Sequence, residues 1–220
     1  MARIFEFGER MEAYPVPVLN EREARAGAGI LFFAAFVAFF QAFQMGDFTL
    51  MRLVVLVFFI DFAIRVLVNP RFAPSLVLGR LIVARQEPEY VGAPQKRFAW
   101  ALGLAMALVA MVMVYGLNMA GPLLLAICVT CILLMFFETA FGICIGCKLY
   151  NLISREKAQL CPGGVCGLQM RAPITRVGPV QLAVVAGVAL VVALAAPVIA
   201  GLDQPERPAA MAAWLGAAAD

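Results

Sequence analysis

The sequence predicts an all-α protein: a polytopic transmembrane helical bundle of five spans, four forming a core and one following at the C-terminal end, with a cytosolic N-terminus. The chain has 220 residues, of which 64% are apolar and only 14% charged. A soluble domain is closer to half apolar and about a quarter charged. Apolar runs long enough to cross a hydrocarbon core recur along the chain. The connections alternate between short ones without a basic residue and long basic ones.

Each span follows from an apolar run and its stop signals. The first is predicted at about Ala28–Met45. The second, Leu50–Val68, ends at Asn69-Pro70, because proline cannot continue a helix. The third is Phe98–Leu117, the fourth follows Gly121-Pro122 and ends near Phe141, and the fifth is Val180–Ile199.

The spans divide the chain into five parts. Residues 1–27 are expected to form a cytosolic N-terminal segment, residues 28–141 the four-helix membrane core, residues 142–179 a cytosolic cysteine-rich loop, residues 180–199 the fifth transmembrane helix and residues 200–220 an external tail. Within the core, residues 75–85 are predicted to form a short helix that Ser75 caps. It is too short to cross, so we expect it to lie flat on the inner surface.

The basic residues predict the orientation. Fourteen of the 17 lysine and arginine residues lie in the N-terminal segment or in the two long loops. Basic loops remain in the cytoplasm. This places the cysteine-rich loop in the cytosol. We expect the chain to lie in a bacterial inner (plasma) membrane, in contact with the lipid bilayer. The net charge of +3 gives no indication of a nucleic acid partner.

Four charged residues fall inside the predicted spans. Asp61 and Arg65 are four apart on the second span, so they share a face and are predicted to form an intramembrane ion pair. Arg52 lies near the outer end and is expected to reach the headgroups. Glu138, on the fourth span, needs a partner on another helix, and Arg65 is one such residue. Charges in a span indicate a functional site by default.

Four of the six cysteines lie between Gly142 and Cys166. Cys144 and Cys147 are predicted at the cytosolic end of the fourth span. Cys161 and Cys166 (CPGGVC) follow in the loop, where a Pro-Gly-Gly turn brings them near each other. The full spacing, C-x2-C-x13-C-x4-C, approaches a four-cysteine zinc pattern, but its second pair is wider than usual.

A redox interpretation competes with the metal site. Cytosolic thiols are kept reduced, so clustered cysteines there are typically metal-binding or catalytic. Nearby Lys148, Arg155 and Lys157 favour the reactive thiolate. The predicted position at a helix C-terminus opposes it, because that end carries negative partial charge. Cys128 and Cys131, within the fourth span, are expected to act as small hydrophobic residues.

Four stretches resemble an uncharacterised prokaryotic membrane family, domain of unknown function 4395. They are VLNEREARAGAG, DFAIRVLVNPRFAPS, APQKRFAWALG and FGICIGCKLY, and the resemblance covers about Val18–Tyr150. It implies a four-helix protein, with some members joined to rhodanese-like or thioredoxin-like domains, and it singles out Cys144 and Cys147. CPGGVC and the fifth span are additions to that pattern.

Three functions remain open. The leading hypothesis is thiol–disulfide or sulfur (persulfide) chemistry at the inner face, with Cys144, Cys147, Cys161 and Cys166 reacting and Glu138 relaying a proton. The alternative is a metal-binding protein in which the same four thiolates hold zinc or an iron–sulfur centre. The third is a structural or accessory subunit of a larger membrane complex. A rhodanese-like or thioredoxin-like protein is the expected partner for the first.

Overall fold

A computed structural model of the chain describes residues 7–11, 16–153 and 177–204. Its regular elements, in chain order, are β1 (Val18–Asn20), α1 (Glu21–Phe40), α2 (Thr49–Ala63), α3 (Pro74–Ile82), β2 (Tyr90–Gly92), α4 (Ala93–Met111), α5 (Pro122–Phe141), α6 (Ile145–Ile153) and α7 (Pro179–Ala200). Single π-turns extend α1 to Met45, α2 to Val68 and α4 to Gly116. A 3-10 turn, Pro70–Phe72, precedes α3.

Four helices of the described residues are long and apolar enough to cross a membrane. They are Glu21–Met45, Ala93–Gly116, Pro122–Phe141 and Pro179–Ala200. The chain is therefore a multi-pass helical protein by length and composition. The predicted second span is also a helix, Thr49–Val68, but it carries three charged side chains, Arg52, Asp61 and Arg65, and is not among the four.

The helices run alternately between two ends of the bundle. We call one the thiol end, which holds β1, α3 and α6, and the other the hairpin end, which holds residues 46–48 and 117–121. Helix α7 begins at the thiol end, where Gln181 Nε2 donates to the Arg71 carbonyl at 3.2 Å. It ends at the hairpin end, where the Phe48 N–H donates to Gln204 Oε1 at 2.8 Å.

A two-stranded ribbon precedes two of the long helices. β1 pairs antiparallel with β2, with Val18 opposite Gly92 and Asn20 opposite Tyr90. Asn20 also caps α1, accepting from the Arg22 N–H and donating to Glu23, so one residue both ends a strand and starts a helix. The ribbon fixes the starts of α1 and α4 side by side. Sequence patterning had not predicted it, because three-residue strands leave no periodic signal.

Helix α3 packs against α1 through two glycines. A Cβ at Gly79 would lie 2.8 Å from the Glu23 carbonyl oxygen and 2.9 Å from the Gly27 nitrogen. Leu78, Leu81 and Ile82 remain exposed on its outer face, which suits an element at an interface. The prediction that Ser75 caps this helix was wrong: the helix starts one residue earlier, at Pro74, and Ser75 turns inward.

Arg52 does not reach outward as predicted. It is 2% exposed, and its Nη2 donates to Asn118 Oδ1 and to the Asp203 carbonyl, each at 2.6 Å. The guanidinium therefore ties α2 to the turn between α4 and α5 and to the residues after α7. Five donors in a planar fork allow one arginine to join several segments in this way.

Candidate functional site

The end of α5 turns the chain back into the bundle at the thiol end. Gly142 adopts φ +65 and closes the helix. Its N–H donates to the Glu138 carbonyl at 3.1 Å, and the Ile143 N–H donates to the Phe137 carbonyl at 3.0 Å. The Gly142 bond is that of an αL capping motif, in which glycine takes the left-handed position without a steric penalty. The next residue, Cys144, is thereby separated from α5.

Cys144 lies at the start of a new helix, and the prediction that the pair sits at a helix C-terminus was wrong. Its carbonyl accepts the first helical hydrogen bond of α6, from the Lys148 N–H at 3.1 Å. Its Sγ accepts from the Cys147 N–H at 3.4 Å, as the side chain of an N-capping residue does. A helix N-terminus carries positive partial charge and stabilises a thiolate.

The two thiols of the pair face each other. Cys144 and Cys147 are both free, and their sulfurs are 2.7 Å apart, with the Cys147 thiol donating to Cys144. Cys147 is buried, whereas Cys144 is half-buried. The geometry thus gives one more accessible acceptor sulfur and one protected donor sulfur.

The pKa values of the two thiols move in opposite directions. The hydrogen bond from Cys147 lowers the pKa of Cys144; burial opposes this, and the Lys96 ammonium adds to the lowering. The same hydrogen bond, together with burial, raises the pKa of Cys147. The proton that the two sulfurs share is therefore held by Cys147 rather than by Cys144.

Gly146, between the two cysteines, allows α6 to approach α4. A Cβ at this position would lie 2.6 Å from the Cβ of Ala99, much closer than two methyl groups pack. The ring centroids of Phe98 and Tyr150 are 5.5 Å apart on the same interface. The glycine of CIGC therefore serves helix packing and holds both sulfurs against the bundle.

Lys96 is the buried charge next to the thiol pair. It is 1% exposed, and its Nζ lies 2.6 Å from Glu138 and 2.8 Å from Glu21. Arg65 is therefore not the partner of Glu138. Both Lys96 and Glu21 precede the predicted spans in the sequence, so neither was predicted to lie in the bundle. The position of Lys96 at the very start of an apolar helix was the signal that it could turn inward.

Asp61 and Arg65 form another buried ionic group. Arg65 Nε donates to Asp61 Oδ2 at 2.7 Å, and both residues are at most 2% exposed. The Ser75 N–H donates to Asp61 Oδ1 at 2.8 Å. The Arg65 guanidinium lies 4.7 Å from the ring centroid of Phe62 and 5.0 Å from that of Trp100. The pair thus joins α2 to α3 and to an aromatic wall.

A cavity of about 150 Å³ lies between the thiol pair and this aromatic wall. Cys144, Glu138 and Arg65 border it at different points, and Cys131 borders it deeper in the bundle. The rest of the lining is apolar. It consists of the aromatic wall formed by Phe62 and Trp100 together with residues such as Phe58, Met106 and Met135. A cysteine, a glutamate and an arginine therefore line a cavity whose other walls are apolar.

Cys128 and Cys131 have mainly apolar surroundings. Both border a second, wholly apolar cavity of about 60 Å³. The Cys131 thiol is 3.9 Å from Met106 Sδ. These surroundings match those of cysteines that act as small hydrophobic residues.

The part of the chain that the structure describes contains no complete ligand set for a metal centre. Within residues 7–11, 16–153 and 177–204, no three Cys, Asp or Glu side chains converge as metal ligands. The predicted four-cysteine site needs Cys161 and Cys166, which lie outside the described residues, as do Arg155 and Lys157. Zinc and iron–sulfur binding therefore stay predictions.

A family model described as Domain of unknown function (DUF4395) matches residues 19–155. No curated protein and no solved structure matches the chain. The matched range runs from β1 through α6, so it includes the thiol pair, Lys96 and Glu138. It ends before Cys161 and before α7.

Proposed function

The chain belongs to the family described as Domain of unknown function (DUF4395), and we propose that this membrane protein carries out thiol–disulfide exchange with the Cys144/Cys147 pair. Persulfide transfer would use the same attacking sulfur. The observation that carries the proposal is the position of Cys144 as the N-capping residue of α6, accepting hydrogen bonds from the Cys147 N–H and thiol. These bonds stabilise the thiolate, which is the nucleophile in such exchange.

The reaction divides between the two sulfurs. The Cys144 thiolate attacks one sulfur of a partner disulfide, and the other partner sulfur leaves as a thiolate. Cys147 then loses its proton to that leaving thiolate and attacks Cys144 Sγ. An internal disulfide forms, and the partner is released as a dithiol. The burial of Cys147 supports this order, because the more accessible sulfur meets the partner first.

The location of the chemistry is proposed to be the inner face of a bacterial plasma membrane. Exposed or half-exposed basic residues of the described chain lie at the thiol end, including Arg22, Arg25, Arg97 and Lys148, whereas residues 46–48 and 117–121 have none. This asymmetry supports a cytosolic thiol end. We also propose that α2 crosses the membrane, making five spans, since its charges have internal partners.

The second cysteine pair is proposed as the exchange partner of the first. Cys161 and Cys166 follow α6 within 13 residues of its last residue by chain position. A rhodanese-like or thioredoxin-like protein would be the external partner. Glu138, bonded to Lys96 at 2.6 Å, is the acid proposed to exchange protons near the pair.

The test uses purified protein in detergent, equilibrated with glutathione buffers of graded redox ratio. Free thiols are then alkylated with a mass tag and located by peptide mapping. Cys144 and Cys147 are expected to oxidise together and reversibly. The chain supplies a matched control, because Cys128 and Cys131 have the same two-residue spacing inside α5 and should stay reduced.

Two results would contradict the proposal. The first is a Cys144/Cys147 pair that stays reduced across the series, or that oxidises no more readily than Cys128/Cys131. The second is one bound zinc or iron centre per chain that protects four thiols, which would establish the metal-binding alternative instead. If serine at all four positions leaves both the function and the assembly of the protein unchanged, the accessory-subunit interpretation is the one left.

A further inference from the structure

The cavity beside the thiol pair is the feature that thiol exchange with a protein partner does not use. We infer that it binds the ring of a membrane-soluble quinone, which takes the electrons of the Cys144/Cys147 dithiol. This inference rests on the proposed function, since it adds an electron acceptor to the same pair. Three properties of the cavity lead to it: its size, its wall and the groups that face it.

The size suits a single six-membered ring. An apolar cavity of about 150 Å³ is large enough for a benzene-sized molecule, and this cavity has that volume. The wall suits a planar ring, because Phe58, Phe62 and Trp100 present aromatic surface, and aromatic rings pack well against one another. Gly103 lies so close to Phe62 that a Cβ at this position would be 2.4 Å from the ring. The Phe62 ring therefore packs directly against α4.

The polar groups on the wall suit a quinone rather than a hydrocarbon chain. Arg65 is the cation that borders the cavity, Glu138 is the carboxyl and Cys144 carries the thiol. Arg65 Nε and Nη2 already donate to Asp61 and Ser75, so Nη1 is the nitrogen left to donate to one of the two quinone carbonyl oxygens. An acyl chain would leave these groups facing a partner that can neither accept a hydrogen bond nor accept electrons.

The electron transfer balances with the groups present. The Cys144 thiolate bonds to a ring carbon of the quinone. Cys147 then attacks Cys144 Sγ, and the sulfur–carbon bond breaks with its electron pair going to the ring. The dithiol becomes a disulfide and the quinone becomes a hydroquinone. One of the two protons comes from Cys147 and the other comes from water, with the Glu138 carboxylate on the wall placed to relay it.

The test uses decylubiquinone with the full chain in phospholipid vesicles. A Trp214→Phe background leaves Trp100 as the only tryptophan, because the chain has two. We expect saturable quenching of Trp100 fluorescence by decylubiquinone, and one quinone reduced per dithiol when the reduced protein is used. A Cys144→Ser/Cys147→Ser variant should keep the quenching and lose the reduction.

Two alanines seven residues apart on α1 give the matched pair of cavity variants. Ala28→Leu extends into the cavity beside the thiols, whereas Ala35→Leu extends into the smaller cavity around Cys128. Only Ala28→Leu should weaken binding, and it should raise the decylubiquinone concentration for half-maximal quenching about tenfold or more. If Ala28→Leu does not fold, competition between decanol and decylubiquinone on the parent protein replaces this comparison. Decanol has the chain without the ring and should not displace the quinone.

The outcomes separate this inference from the proposed function. Reversible oxidation of Cys144 and Cys147 by glutathione, without saturable quenching or quinone reduction, overturns the quinone site and leaves thiol exchange intact. Displacement of the quinone by decanol at equal concentration identifies an acyl-chain site and also overturns the inference. Quenching with a dithiol that never oxidises would overturn both proposals.

Discussion

At the scale of single residues, the pKa of Cys144 depends mostly on one neighbour. The Cys147 thiol and its own N–H both donate to Cys144 Sγ. The hydrogen bond from the Cys147 thiol is the leading cause of the lowered pKa of Cys144. The side chain at position 147 is therefore the part that substitution can remove, while the backbone donor and the helix terminus stay in place.

Replacing Cys147 by alanine should raise the pKa of Cys144, and replacing it by serine should raise it less, because the serine hydroxyl can still donate. At a fixed pH below that pKa, the thiolate fraction falls about tenfold for each unit of rise. Iodoacetamide alkylation of Cys144, followed against pH in a background without other cysteines, measures this. Equal pH profiles for Cys147→Ala and Cys147→Ser would show that the thiol hydrogen bond has no role.

At the scale of elements, the Lys96 ammonium joins three helices. It lies at the start of α4 and contacts Glu21 on α1 and Glu138 on α5. The β1–β2 ribbon brings the starts of α1 and α4 together, since Asn20, the residue before α1, pairs with Tyr90, three residues before α4. The thiol pair on α6 therefore lies beside a junction of three helices, where one cation forms ion pairs with two carboxylates.

Lys96→Met should destabilise the bundle by about 3–5 kcal/mol, the cost of breaking a buried ion pair and leaving a charge without its partner. Adding Glu138→Gln should recover part of the loss, because one of the two unpaired carboxylates is then neutral. Unfolding in mixed SDS and mild detergent, followed by Trp100 fluorescence, measures the change.

Lys148→Met is the control for that comparison. Lys148 lies in α6, close to the same cluster in sequence, but its side chain is exposed. Removing an exposed charge typically changes stability by less than about 0.5 kcal/mol. Equal stability of the Lys96→Met and Lys148→Met variants would contradict a structural role for the buried cation.

At the scale of the whole molecule, the two ends of the bundle differ in charge and in chemistry. The thiol end carries the exposed basic residues together with Cys144. The hairpin end is closed by Arg52, bonded to Asn118 and to the Asp203 carbonyl. One asymmetric charge pattern thus predicts the compartment of the reactive sulfur.

Labelling from outside intact bacterial cells tests that orientation. In a background with one cysteine at a time, a membrane-impermeant maleimide should react with Asp203→Cys, at the exposed hairpin end. It should react with Cys161 only after the membrane is permeabilised. Labelling of Cys161 in intact cells would reverse the topology and remove the reducing environment on which the thiol proposal depends.

The sequence by itself determined the helical membrane class and the alternation of long helices, because apolar runs and basic loops reflect local solvation. It also placed Asp61 one turn from Arg65, since i,i+4 spacing is a property of a single helix. The family resemblance was confirmed by the match to residues 19–155. All of these depend on residues near one another in the chain.

Only the tertiary structure decided what surrounds the cysteines. The break at Gly142 moved Cys144 from the expected end of one helix to the start of another, because a left-handed glycine ends α5 three residues before α6 begins. Lys96 replaced Arg65 as the partner of Glu138 through strand pairing that no periodicity signals. Contacts between distant segments set these features, and a single sequence carries little information about such contacts.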